Sequence, residues 1–209
     1  RGEEVMYLAD FQLAELCEKQ GLVSPYDPAR VNPASIDLTL GTEFVNLSDK
    51  DLKYYCDREY KVENIAAPSQ RFIADGVWLE PGVALLATTA ERVKIPDSRT
   101  QLAGRSIDVG LRSPMWEVFP PLQACIGELR LKSSAARNGL DHALAGWIDP
   151  GFDGTLTLEL HSHRPIELLA GKAYVQLVVA AMLATPSKSY QQTGRYIGEH
   201  AQGAVLSRG

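Results

Sequence analysis

The chain has 209 residues, 45% of them hydrophobic and 22% charged, with a formal net charge of −5. That is enough chain for one globular domain with a real core, or at most two small ones. The acidic balance excludes a general binder of nucleic acid polymers, which presents a basic face, but leaves room for a small anionic ligand held by a few local cations. No run approaches the roughly 18 apolar residues of a membrane span. The opening Arg1-Gly2-Glu3-Glu4 lacks the basic-then-apolar order of a signal peptide. Cys17, Cys56 and Cys125 are odd in number and widely spaced, so they form neither a disulfide framework nor a CxxC metal pair. Reduced, mostly buried thiols in a cytoplasmic protein with no membrane attachment are expected.

In chain order, one short helix comes first: Asp10 as its cap, an apolar stripe of Phe11, Leu13, Leu16 and Cys17, and Gly21 as its stop. The period then changes to two. Ser35 to Leu40 alternates as a half-buried strand does and is expected to end at Gly41. Further strands are predicted at 77–79, 83–87, 92–95, 128–131, 155–160, 166–169 and 173–181, separated by turn signals such as Pro81-Gly82 and Pro96. Short strands with turns every ten residues or so indicate an all-β barrel or sandwich. The echo of Ala34–Leu38 in Arg105–Val109 is too short to argue a duplication. Residues 1–183 form the β domain, and the polar, Gly-, Ser- and Gln-rich residues 184–209 read as a mobile C-terminal arm.

Chemistry concentrates between Lys132 and Leu160. Lys132-Ser133-Ser134-Ala135-Ala136-Arg137 follows a strand and puts two cations and two hydroxyls on one turn. Lysine supplies a point charge and arginine a planar fork, and both suit phosphate oxygens. An ordinary capped surface turn would look the same by composition. Ala145-Gly146-Trp147-Ile148-Asp149-Pro150-Gly151-Phe152-Asp153-Gly154 is a glycine-punctuated loop that runs straight into the strand Thr155–Leu160. Glu159 stands in that strand between Leu158 and Leu160, facing either solvent or a pocket, and strand parity alone does not decide which. His161 and His163 share a strand face, but no cysteine or third ligand accompanies them, and they read as a solvated pair.

These segments, in this order and spacing, resemble the signature of the dCTP deaminase family within the dCTP deaminase/dUTPase superfamily. Asn32-Pro33-Ala34-Ser35-Ile36-Asp37-Leu38 resembles its N-terminal strand motif, and Gly171-Lys172 through Gln176-Leu177 its late strand pair. Tyr190, Arg195-Tyr196 and Gln202-Gly203 resemble the arm that closes over the nucleotide. The resemblance implies a dUTPase-like (β-clip) core, a distorted β-barrel or jelly-roll with a short N-terminal helix. It also implies a homotrimer with active sites shared between subunits, and Mg²⁺ bound through the substrate's phosphates. Glu159 matches the catalytic glutamate, and Ser133 and Arg137 the residues that assist it. Lys132 and Ser134 match phosphate-loop positions, and Asp149 the residue at the sugar. Ala145 offers a backbone group near the reacting water, Thr157 and Leu158 lie beside the base, and Tyr190, Arg195 and Gln202 belong to the closing arm. The implied activity is hydrolytic deamination of deoxycytidine nucleotides, dCTP to dUTP and ammonia. Zinc deaminases instead carry an H-x-E…P-C-x-x-C signature, which this sequence lacks, so no zinc is expected.

Two positions depart from the family pattern. Lys132 stands where most members have Arg, and Glu199 stands where Gln is usual. Both bear on the phosphate end, and tolerance of dCMP beside dCTP is the resulting expectation. The rival readings are a dUTPase, which has no glutamate at the place of Glu159, a bifunctional dCTP deaminase/dUTP diphosphatase, and a non-catalytic nucleotide sensor.

Overall fold

Alternation of apolar and polar residues builds most of this molecule. The computed structural model describes residues 6–47, 71–98, 102, 105–107, 115–117, 122–143 and 146–194. Seven strands carry the architecture: β1 (Ser35–Leu47), β2 (Ala84–Lys94), β3 (Cys125–Leu131), β4 (Leu140–His142), β5 (Trp147–Ile148), β6 (Asp153–Ser162) and β7 (Ala173–Ala181). They pair antiparallel in the order β4-β6-β2-β1-β7-β3-β5. Met6–Tyr7 adds to β7, Val23–Ser24 to β2, and Val31–Asn32 and Arg71–Ile73 to β1. The sheet is curled, and among the described residues its end strands β4 and β5 do not pair with each other, which leaves it an open half-barrel. Its inner face holds the core, where Ile36, Leu38, Phe44, Leu158, Leu160 and Leu177 are at most 1% exposed. The all-β architecture expected from the strand pattern is present.

Three boundaries differ from the sequence reading. β1 does not stop at Gly41 but runs on to Leu47, with an irregular register between Leu40 and Phe44. Gly41 serves close approach instead: a Cβ there would lie 2.8 Å from Thr88 Oγ1. The separate strands predicted at 83–87 and 92–95 are one continuous β2. In helix α1 (Asp10–Gln20), Asp10 is the first helical residue rather than the cap, and its carboxylate accepts from the Phe11 N–H. The capping is done by Gln12, whose side chain accepts from the Ala9 N–H at 3.0 Å. Gln12 therefore takes the buried place expected of Phe11, beside Leu13, Leu16 and Cys17. Gly21 ends the helix at φ 69°, as expected.

Candidate active site

β6 settles the parity left open at Glu159. Leu156, Leu158 and Leu160 point into the core, so Thr155, Thr157 and Glu159 occupy the opposite face. That face is not open solvent. Glu159 lies opposite Leu86 and Thr157 opposite Thr88 on β2, and directly opposed residues share a face. Leu86 and Thr88 are buried there, and Val45 of β1 lies opposite Leu86. Glu159 is thus a half-buried carboxylate flanked by apolar surface, and among the described residues no hydrogen bond or ion pair engages its side chain. Leu158, expected beside a base, sends its side chain into the core and could meet a ligand only through its backbone.

The other flank of β6 is β4, with His142 opposite Leu160, and the Ala143 N–H continues the pairing by donating to the Glu159 carbonyl at 3.0 Å. The chain after Ala143 therefore leaves from beside Glu159 and returns to the sheet at Gly146, whose carbonyl accepts from Leu129 N–H at 2.7 Å. Ala145 lies in this connection but outside the described residues, as do Arg195, Tyr196, Glu199, Gln202 and Cys56. His142 is half-buried, and its buried Nε2 has no hydrogen-bond partner among the described residues. Burial is the main cause that pushes its pKa below the ordinary 6.5; nearby His161 adds to this and Asp141 opposes it. His161 and His163 are both exposed, and the His163 imidazole lies 3.9 Å from the Asp141 carboxylate.

β3 runs into a one-turn helix, α2 (Ser133–Arg137), which places the cation–hydroxyl cluster at the rim of the sheet. Ser133 and Arg137 lie one turn apart and the guanidinium donates to Ser133 Oγ at 3.3 Å, with both side chains exposed. Ser134 is exposed on a neighbouring side, beside a cavity of about 400 Å³ that Trp78, Lys172 and Tyr174 also line. Lys132 is placed differently from a free phosphate ligand. Its ammonium forms an ion pair with Asp37 of β1.

Asp149 is exposed at the head of a tight turn in which Phe152 N–H donates to its carbonyl at 3.1 Å. Gly151 takes φ 87° in that turn, and a Cβ on it would lie 2.0 Å from Ser189 Oγ, so glycine is required twice over. The close neighbour is the C-terminal segment, which is docked here as far as residue 194 instead of standing free. Tyr190 N–H donates to Pro150 O at 2.8 Å and the Gln191 side chain to Gly151 O at 2.6 Å. The Tyr190 and Phe152 rings pack at 5.5 Å. A one-turn helix, α3 (Tyr190–Thr193), results, and it joins Tyr190 to the Asp149 turn.

The structure therefore makes two groups, Glu159 with Thr157, and Asp149 with Tyr190. Ser133 and Arg137 form a third. Among the described residues no hydrogen bond or ion pair within the chain links Glu159 to Ser133 or Arg137. Two residues outside the sequence-predicted site also appear. Glu91 of β2 is 1% exposed, accepts from Thr39 N–H at 2.8 Å and from Thr39 Oγ1 at 2.6 Å, and pairs with Arg30. Asp37 is the partner of Lys132. Glu91 sits among Thr88, Thr89, Arg92 and Lys94, where no local signal sets it apart, whereas Asp37 lies within the Asn32–Leu38 motif.

The model of the dCTP deaminase-like family matches residues 7–111 and 117–182. A protein of Methanoculleus marisnigri named "dCTP deaminase, dUMP-forming" is 30% identical over 97% of this chain and 95% of its own length. One of Aquifex aeolicus with the same name is 32% identical over 97% and 94%. A protein of Pyrococcus horikoshii named "dCTP deaminase" is 30% identical over 92% of each. Among solved structures, the 2'-deoxycytidine 5'-triphosphate deaminase of Agrobacterium tumefaciens superposes with a TM-score of 0.57 at 17% identity, which speaks for the fold alone. That match covers 86% of this chain and 49% of the other, so the chain spans about half of its length. The half-barrel is thus of the dUTPase-like, all-β kind. The chain belongs to the dCTP deaminase-like family.

Proposed function

We propose that Glu159 is the proton carrier in hydrolytic deamination of deoxycytidine nucleotides, dCTP above all. The chain is an enzyme of this reaction class, a hydrolase acting on the cyclic amidine of cytosine. The observation that supports the role of Glu159 is its placement: a half-buried carboxylate on a rigid strand, flanked by Leu86 and Thr88, with no partner of its own among the described residues. Water adds to C4 of the base while Glu159 takes its proton. The carboxyl passes that proton to N3, then takes the proton of the new C4 hydroxyl and delivers it to the exocyclic nitrogen; the C–N bond breaks, ammonia leaves, and a C4 carbonyl beside an N3–H remains. One carboxylate serves these steps when it is within hydrogen-bond reach of the atoms concerned. Arg137 cannot act as a base, and its part is to offset developing charge or to fix the carboxylate, with Ser133 oriented beside it.

Among the described residues no bond within one chain joins Glu159 to Ser133 or Arg137, and a shared site, in which a second copy supplies α2 to the Glu159 of the first, accommodates this. The assembly proposed is the homotrimer that the family resemblance implies. Asp149 and the arm carrying Tyr190, Arg195 and Gln202 hold the sugar and phosphates. Among the described residues no group of three His, Cys, Asp or Glu side chains stands together to hold a metal. The donor set thus favours Mg²⁺ arriving on the substrate's phosphates over a resident ion, and no step above passes through it. Dependence on zinc is not expected.

A second reading is favoured by the names of several relatives, which are dUMP-forming deaminases. On that reading the chain also hydrolyses the dUTP it makes, with Asp149 as the second carboxylate. Incubation with dCTP, dCMP and dUTP, following ammonia and pyrophosphate separately, distinguishes the two. Glu159→Gln tests the primary assignment, since it keeps size and removes the proton carrier. Deamination should fall at least ~10²-fold with nucleotide binding kept, and a variant retaining more than about a tenth of turnover refutes the role of Glu159.

A further inference from the structure

The sheet order puts β7 between β1 and β3. Asp37 on β1 lies opposite Gln176 on β7, and Gln176 lies opposite Arg130 on β3. Lys132 follows two residues after Arg130, and so projects from the same face. Its ammonium reaches across the intervening strand to Asp37 Oδ2. The other oxygen, Oδ1, accepts from Asn32 Nδ2 at 2.9 Å. Both oxygens of this carboxylate are therefore occupied, and its side chain and that of Lys132 are only 14% and 27% exposed. The Lys132 main chain is fixed as well, with its N–H donating to Tyr174 O at 2.8 Å and its carbonyl accepting from Ala136 N–H at 3.0 Å. The residue immediately before Ser133 is thereby pinned at both backbone and side chain to the neighbouring strands.

The charge of Lys132 is also cancelled where it stands. A phosphate approaching this ammonium meets a carboxylate already in contact with it, so the pair offers little net attraction at a distance. We propose that Asp37 and Lys132 are positioning residues: together they brace the Ser133–Arg137 turn across the sheet, and Lys132 is not a phosphate ligand. This rests on the reading of Ser133 and Arg137 as parts of a deaminase site.

A double-mutant cycle separates brace from ligand. Lys132→Met removes the charge and the brace, whereas Asp37→Ala removes the brace and leaves the charge. If the pair positions α2, each single variant lowers kcat for dCTP by about 10- to 100-fold, the loss that misplacement by an ångström produces. The double variant is then no worse than the poorer single within about threefold, and Lys132→Arg, which keeps the ion pair, retains most activity. Hydrogen exchange at the Ala136 and Asn138 amides should quicken about tenfold or more in both singles. The proposal is overturned if Lys132→Met raises KM for dCTP with kcat kept while Asp37→Ala is silent, since that marks a phosphate ligand. Multiplying losses in the double variant also overturn it, as does a lowered melting temperature with kcat unchanged and the two amides unmoved. A wild-type protein that releases no ammonia from any deoxycytidine nucleotide sinks the functional reading instead, and the exchange measurement still decides the brace.

Discussion

Replacing Glu91 with alanine would leave the Thr39 N–H and hydroxyl, now held at 2.8 and 2.6 Å, without an acceptor in a place where Thr39 is 3% exposed. Stranding a buried donor destabilises by about 1–3 kcal/mol. Two such donors set an upper figure near 6 kcal/mol, less whatever water recovers by entering the space vacated by the side chain. Arg30 adds little, because its side chain is 35% exposed and has Asp27 at 3.4 Å as another partner. A net loss of about 2–4 kcal/mol is expected, which for a chain of this size lowers the melting temperature by roughly 5–15 °C. Glu91→Gln should lose about half as much, since its amide oxygen keeps one of the two acceptor roles. Thermal melts of both variants beside wild type measure this. A Glu91→Ala protein melting within ~2 °C of wild type, or a Gln variant as damaged as the Ala variant, refutes the reasoning. The outcome reaches the site, because Thr39 stands two residues from Asp37 on β1.

Two further outcomes follow from groups whose titration the fold displaces. Because the pKa of His142 is held below its ordinary 6.5 by burial, the unfolded chain takes up a proton near that pH which the folded one refuses. Stability should therefore fall as pH drops from about 6.5 through the depressed value, and His142→Asn should flatten that slope in melts taken from neutral to acid pH. An unchanged slope refutes the assignment. Burial pushes the Cys17 thiol up to about 11 and the Cys125 thiol up to about 12, so neither should react with iodoacetamide at pH 8 until the protein is unfolded. Peptide mapping checks this, and prompt labelling of either cysteine in the native protein refutes it.

Much of this was legible because a period of two leaves little ambiguity. Ala173–Ala181 and Ile166–Leu169 stand as the alternation and turn signals placed them. The misses have physical causes. A strand buried on both faces, as β2 is from Ala84 to Thr89, does not alternate, so its middle looked like a break. Gly41 read as a stop because a glycine needed for close approach and one needed for a turn are the same letter. Strand parity could not say which face of β6 is the core until Leu158 and Leu160 were seen inside it. The ion pair of Lys132 with Asp37 was not legible because its partner lies 95 residues away in sequence, and no local pattern reports such a pairing. The docking of Tyr190 on the Asp149 turn was hidden for the same reason.

The strand that carries Glu159 has a bearing on redesign. Side chains repeat every second residue, so inserting or deleting one residue between Thr155 and Leu160 would exchange the carboxylate for a leucine and drive a charge into the core. Substitution is far freer than insertion, but only on one side. Leu156, Leu158 and Leu160 are fixed by the packing beneath them, whereas Thr157 shares the face of Glu159 and stands about 6.6 Å along the strand from it. On the role proposed for Glu159, a library meant to alter base preference should vary Thr155 and Thr157, together with the opposing Thr88, and leave the leucines alone. The strand tolerates side-chain exchange on that face far better than any change in its length.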